Sequence, residues 1–278
     1  MIPSNDPEIG SNVVANGIGT NYLEAGEGSP LILVHGSGPG VTAYANWRLV
    51  IPKLASHFRV IALDMAGFGY TERPQDADYS MEFWLAHLSG FLDALGIQRA
   101  SFVGNSFGGA LTLAFAAQYP DRVDRFVLMG SAGVEFTLTS ALDAVWGYEP
   151  SEESMAHLMN LFAYDKSLLS PELIQSRYKA SIRPGYQESY RLLFPGPRQR
   201  HVSRLATPEE AIARIDKRVL LLHGRDDVVV PPTTSHRLVQ LIPRSELHLF
   251  GQCGHWVQVE KCGPFCELVT RFLKGNLD

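Results

Sequence analysis

Ser106 stands at the centre of Gly104-Asn105-Ser106-Phe107-Gly108-Gly109, between a short apolar run at 100–103 and a stretch of small and apolar residues at 110–117. The first run reads as a buried strand and the second as a closely packed helix. Glycine at 104 and 108 lets the chain turn sharply, so the serine can be held in a strained backbone conformation with its hydroxyl exposed. This is the G-x-S-x-G pattern in the strand-turn-helix setting that a nucleophile needs. A serine hydroxyl attacks a carbonyl only when a base takes its proton and an acid orients that base. Of nine histidines, His255 is the best base, because Gly251-Gln252-Cys253-Gly254-His255-Trp256 is a flexible loop after the last apolar run. For the acid, Asp226 and Asp227 follow the run at 219–222 and so lie at the carboxyl end of a strand; whichever is not the acid is free to hold the turn or pair with Arg225. Attack also requires donors aimed at the developing oxyanion. The loop His35-Gly36-Ser37-Gly38-Pro39-Gly40 can bring backbone N–H groups, including those around Gly36 and Gly38, to a ligand, and we assign the oxyanion hole to the N–H groups of Ser37 and Phe107.

These residues must be positioned by a scaffold whose elements are legible. Residues 13–15 and 20–24 read as two strands joined by a turn at Asn16-Gly17. Apolar runs at 31–34, 60–63, 101–103, 126–129, 219–222 and 246–249 suit parallel strands buried on both faces. Helical patterns at 47–55, 81–95, 106–119, 233–241 and 258–274 separate most of them. Such alternation predicts an α/β fold, a doubly wound and mostly parallel sheet with chemistry at the carboxyl ends of its strands. The alternation fails between 134 and 217, where helices are expected at 152–164 and 171–182 and prolines 184, 195 and 197 punctuate the remainder. We read residues 135–205 as a helical cap inserted between two parts of one core, residues 1–134 and 206–278.

With 278 residues and 45% apolar content, the chain suits one large domain carrying an insertion. No apolar stretch approaches the roughly 20 residues needed to span a bilayer. The first ten residues are polar and acidic, unlike a secretory leader, so the expected compartment is the cytoplasm. A net charge of −5 argues against nucleic acid. Residues 135–205 carry about as many basic as acidic groups, which leaves the acidic excess on the core; this is a weak pointer to an anionic small ligand. Cys253, His255, Cys262 and Cys266 match no familiar zinc spacing, and a zinc ion there would consume the base. The three cysteines are expected to be buried, reduced thiols, and no metal or cofactor is required.

Taken together, HGSGPGVTAYANWR at 35–48, DMAGFGYTERP at 64–74, GNSFGG at 104–109, LDAVWGYEPS at 142–151, ASIRPG at 180–185 and GQCGHW at 251–256 resemble the α/β-hydrolase superfamily. More narrowly, nearly the whole chain resembles the meta-cleavage-product hydrolases of aromatic catabolism. The order Ser, Asp, His agrees with that arrangement. In the family the acid lies 28 positions before the histidine, which selects Asp227. The resemblance also implies that Asn46, Asn105, Arg177 and Trp256 line the polar end of a pocket, where a substrate's carboxylate and 2-oxygen bind. A planar guanidinium fork suits a carboxylate.

The implied reaction is hydrolysis of a carbon–carbon bond in a 2-hydroxy-6-oxohexa-2,4-dienoate, a small anionic dienoate, after its dienol is converted to the keto form. A carboxylesterase or lactonase with the same residues is the enzyme alternative. A hydrolase-fold receptor that holds a ligand without turning it over is the other. The sequence leaves open whether copies assemble into a homo-oligomer.

Overall fold

A computed structural model describes residues 6–276 of the chain. All eight expected strands form: β1 (Ser11–Ala15), β2 (Ile18–Ala25), β3 (Pro30–Val34), β4 (Arg59–Leu63), β5 (Ala100–Asn105), β6 (Val123–Met129), β7 (Val219–Gly224) and β8 (Ser245–Phe250). They make one sheet in the order β1-β2-β4-β3-β5-β6-β7-β8. The first two pair antiparallel around Asn16-Gly17, whose φ values of 48° and 80° suit a tight hairpin turn. β2 runs antiparallel to β4, and every remaining pairing is parallel.

Continuous apolar runs are needed in the inner parallel strands because helices cover both faces there, whereas β8, expected to be buried on both faces, is an edge strand in which Glu246 and His248 are exposed. In β5, Phe102 enters the core on one face with Phe91, Phe115 and Trp84, while its neighbour Val103 joins Trp47, Leu54, Phe265 and Phe272 on the other. In β7 the same alternation separates Leu221 from Leu220 and Leu222. Helix Phe107–Gln118 follows β5 and is almost wholly buried, so its small residues are needed where it crosses the sheet. A Cβ on Gly108 would lie 2.3 Å from the Val34 carbonyl oxygen, and one on Gly104 would lie 2.4 Å from the Gly108 carbonyl oxygen.

Some expected helix boundaries are corrected. Residues 47–55 are not one helix: Ala43–Trp47 begins earlier, with the Thr42 hydroxyl accepting from the Ala45 N–H at 3.0 Å, and Ile51–Leu54 follows as a separate turn. Residues 258–274 divide into Val257–Glu260 and Cys262–Leu273, because Lys261 takes φ −125° and ψ 34°. Ser106 lies outside the following helix, at its N-cap.

Between β6 and β7 no strand occurs among the described residues. Helices Glu152–Phe162 and Pro171–Ser181 stand where the sequence places them. The segment also contains Ser140–Trp146, Tyr186–Leu193, Gln199–Leu205 and Glu209–Ala213, none of which the sequence pattern predicts. These are only five to eight residues long, too short for an apolar period to show, although Ser140–Trp146 buries Ala141, Leu142, Val145 and Trp146.

Candidate functional site

Ser106 is held at φ 55° and ψ −113°, a conformation costing roughly 1–3 kcal/mol for a residue with a side chain. Its surroundings over-determine it. The Ser106 N–H donates to the Met129 carbonyl at 2.9 Å, and its own carbonyl accepts from Gly109 and Ala110 at 3.0 and 3.1 Å. The elbow is thus pinned to both the neighbouring strand and the helix it starts.

His255 and Asp227 meet at the carboxyl ends of β7 and β8, with Nδ1 and Oδ2 at 2.7 Å. Both are buried, at 4% and 6% exposure. The other carboxylate oxygen of Asp227 accepts from the Val229 and Val230 N–H groups at 2.8 and 3.1 Å. A second histidine, His223, brings Nε2 to 3.2 Å from Oδ2 and 3.0 Å from the Val230 carbonyl. Since both of those partners are acceptors, Nε2 carries the proton, leaving Nδ1 beside the Ser235 hydroxyl at 2.7 Å. Burial alone would push the Asp227 carboxyl up. The charge of His255 and the hydrogen bonds from both imidazoles outweigh it and hold the group well below the usual carboxylate range. An ionised acid accepting from Nδ1–H leaves Nε2 of His255 free to take a proton from a nucleophile.

The loop bearing His255 is tied to the inserted segment, the His255 N–H donating to the Phe162 carbonyl at 2.8 Å. Gly254 allows this approach, since a Cβ there would sit 2.6 Å from the same oxygen. Phe162 in turn stacks on Trp256, with centroids 5.2 Å apart.

Ser106 and His255 face one cavity, as do Gly36, Ser37, Gly38, Asn46, Asn105, Arg177 and Trp256. Asp227 stands behind the histidine and Phe107 is turned away from the cavity, its ring packing on Trp84 at 4.7 Å. As the first residue of its helix, Phe107 has an N–H without an intrahelical acceptor. Among the described residues neither that N–H nor the Ser37 N–H has an acceptor. The Ser37 loop is braced from the insertion: Trp146 Nε1 donates to the Ser37 hydroxyl and the Tyr190 hydroxyl to the Ser37 carbonyl, each at 3.0 Å. The Gly36 N–H is occupied by Asn46 Oδ1 at 3.1 Å, and the same oxygen accepts from Asn105 Nδ2 at 2.9 Å.

Arg177 reaches the cavity from helix Pro171–Ser181, donating to the Gly40 carbonyl and standing 3.8 Å from the Glu8 carboxylate. Glu8 pairs more closely with Arg183, at 2.5 Å. Arg48, Gln258, Met155 and Met159 also line the cavity, and the sequence alone does not single them out. The nearest signal is position, with Arg48 two residues past Asn46 and Gln258 two past Trp256. Asp226 turns outward to Arg225 at 3.3 Å.

Cys253, Cys262 and Cys266 are free thiols, and burial pushes those of Cys253 and Cys266 up to about 12, so neither is a ready thiolate. Among the described residues no cluster of three or more His, Cys, Asp or Glu is arranged to hold a metal ion. No helix there is long and apolar enough to cross a membrane.

Residues 29–261 match the model of the alpha/beta hydrolase fold family. The chain is 59% identical to a 2-hydroxy-6-oxo-2,4-heptadienoate hydrolase of Pseudomonas putida, over 97% of this chain and 98% of that one. It is 55% identical to a 2-hydroxymuconate semialdehyde hydrolase of Pseudomonas sp. strain CF600, over 98% and 96%. A structure of a meta-cleavage product hydrolase from Pseudomonas fluorescens IP01, a serine-to-alanine mutant complexed with acetates, superposes with a TM-score of 0.96 at 52% identity, covering 97% of this chain and 99% of the other. The chain therefore belongs to the α/β-hydrolase-fold family and, within it, to the meta-cleavage-product hydrolases.

Proposed function

We propose that this enzyme hydrolyses the C5–C6 bond of 2-hydroxy-6-oxohexa-2,4-dienoates, such as 2-hydroxymuconate semialdehyde, to 2-hydroxypenta-2,4-dienoate and a small carboxylic acid. The observation that carries the reading is the union of two features in one cavity. A buried Asp227–His255 pair stands with Ser106 at one wall, and the same space is lined by Arg177 and the amides of Asn46 and Asn105. The first feature is the equipment of acyl transfer. The second fits an anionic, oxygen-bearing substrate. The names of the relatives at 59% and 55% identity support the same substrate class.

In this reading Arg177 holds the carboxylate, and Asn46, Asn105 and Trp256 surround the 2-oxygen. The dienol gives up its hydroxyl proton and gains one at C5, so that the keto form can accept the electrons of the C5–C6 bond. His255 moves these protons. Ser106 then attacks the C6 carbonyl, losing its proton to His255, while the Ser37 and Phe107 N–H groups receive the oxyanion. Collapse breaks C5–C6 and leaves the dienolate, and water completes release of the acid. In this reading residues 135–205 serve as a cap, since Leu142, Val145, Met159 and Phe162 of that segment line the cavity.

The test is to mix the protein with the yellow 2-hydroxy-6-oxohepta-2,4-dienoate, follow loss of colour and identify products by mass. Equimolar acetate and 2-hydroxypenta-2,4-dienoate are expected. Rapid hydrolysis of p-nitrophenyl acetate with no bleaching of the dienoate would replace this reading with an esterase.

A further inference from the structure

Gln258 is 2% exposed and lines the cavity two residues beyond Trp256. Its amide orientation is fixed by one contact: Nε2 donates to the Asn46 carbonyl at 3.4 Å. Rotating the amide by half a turn would set oxygen against oxygen, so Oε1 is the atom that points away from that carbonyl. Among the described residues Oε1 is buried and has no hydrogen-bond partner. Two other residues of the lining carry an atom in this condition, Asn46 Nδ2 and Asn105 Oδ1. Unpaired buried polar groups cost free energy, which a ligand supplying the missing partner offsets.

Two of the three, Gln258 Oε1 and Asn105 Oδ1, are acceptors and the third is a donor. Asn46 Nδ2 is a donor and calls for an oxygen acceptor. Gln258 Oε1 is an acceptor and calls for an O–H or N–H. Gln258 reaches the main-chain carbonyl of Asn46, so the two residues adjoin, and a ligand hydroxyl is the group that offers both kinds of partner, accepting at its oxygen and donating its proton. A carboxylate oxygen or a ketone satisfies only the donor, and an ether likewise. Arg48 and Arg177 in the same lining supply charge for a carboxylate but no acceptor for a proton.

We propose that Gln258 is a specificity-determining residue that accepts the proton of the substrate's 2-hydroxyl through Oε1, so that the site selects the dienol rather than the 2-keto tautomer or a dienoate lacking the hydroxyl. This deepens the dienoate reading and rests on it. A site built around a hydroxyl rejects the analogue without one because its own buried acceptor is left unpaired. Selecting the dienol also holds its O–H in a defined direction before the proton is moved.

The test compares wild type with Gln258→Met, an unbranched side chain of similar volume that lacks the acceptor, and with Gln258→Leu should the first variant be poorly folded. Two ligands are used: 2-hydroxy-6-oxohepta-2,4-dienoate as substrate, and 6-oxohepta-2,4-dienoate as a competitive inhibitor that cannot ketonise. In wild type the inhibition constant of the des-hydroxy compound should exceed KM for the substrate by about 10- to 100-fold. In the variant KM should rise by a similar factor while the inhibition constant stays within about threefold. Equal weakening of both ligands would make Gln258 a shaping residue of the cavity and overturn the proposal. So would equal affinity of wild type for the two compounds. Failure of wild type to bleach the dienoate at all is a separate outcome, which would overturn the dienoate reading itself and this proposal with it.

Discussion

His255 Nδ1 and Asp227 Oδ2 lie 2.7 Å apart, while the adjacent Asp226 turns outward to Arg225 at 3.3 Å. Two neighbouring carboxylates thus have opposite environments, one buried and accepting from two imidazoles and two backbone amides, the other at the surface. Asp227→Asn should lower kcat by about three to four orders of magnitude, because an amide favours the wrong imidazole tautomer and removes stabilisation of the imidazolium. Asp226→Asn should leave kcat within a few-fold. Steady-state kinetics of both variants decide this, and equal losses would show that the acid has been misassigned.

Ser106→Ala and His255→Ala should each cost several orders of magnitude in carbon–carbon cleavage, since the hydroxyl and its base act as one unit. The two variants should separate when the earlier step is watched. If His255 moves the protons of tautomerisation, its loss slows ketonisation as well, whereas loss of Ser106 leaves ketonisation largely intact. Rapid-scan spectroscopy resolves the two phases. Overall turnover within tenfold of wild type in either variant would remove that residue from the mechanism.

Stability should fall between neutral pH and pH 4, for a reason set outside the site. His35 accepts from the Met65 N–H at Nε2, 3.0 Å, and faces the Gly36 carbonyl through Nδ1, 2.6 Å, so it is held neutral in one tautomer. His87 is fixed in the same way, accepting from the Ala66 N–H and facing the Thr20 hydroxyl. Burial lowers both from 6.5 to about 4. Between those values the unfolded chain binds protons that the folded chain refuses, so each imidazole costs the fold roughly 3 kcal/mol as pH drops through that window. Asp64 opposes them, because burial raises its carboxyl to about 6 despite three N–H donors. From pH 6 down to 3.8 the folded state holds the extra proton and gains a similar amount. One uncompensated histidine remains, a net loss of roughly 3–4 kcal/mol by pH 4. Urea unfolding at pH 7, 5.5 and 4 measures it, and His87→Gln should flatten the slope.

The elements of the fold are legible in the sequence where one local rule governs them. Leu220, Leu221 and Leu222 are apolar without alternation because helices cover both faces, and that continuity, in a short run alternating with helical patterns, marks a parallel strand. The elbow is legible because Gly104 and Gly108 answer a steric demand within a few residues of Ser106. Helices Tyr186–Leu193 and Gln199–Leu205 are hidden because each is held by a few contacts with distant segments, Tyr190 with the Ser37 loop among them. The same holds for the surroundings of Arg177, whose near carboxylate, Glu8, belongs to a segment preceding β1. His223 reads as a strand residue, and only the turn after β7 brings Asp227 back onto its ring.

Arg177 gives the sharpest test of substrate class. Its guanidinium lines the cavity and is largely buried, while its carboxylate neighbour at 3.8 Å is engaged more closely by Arg183. Glu8 therefore neutralises it only in part, which leaves charge to pair with a second anion. If that anion is the dienoate carboxylate, Arg177→Leu should cost roughly 2–5 kcal/mol in kcat/KM, the usual range for truncating one partner of a buried charge pair. A neutral ester such as p-nitrophenyl acetate has no carboxylate and depends only on Ser106, His255, Asp227 and the oxyanion donors. Its hydrolysis should stay within a few-fold of wild type. A parallel fall of both activities would mean that Arg177 serves chiefly to hold Gly40 and Glu8 in place. No fall in either would move the carboxylate anchor to Arg48, the other arginine in the lining.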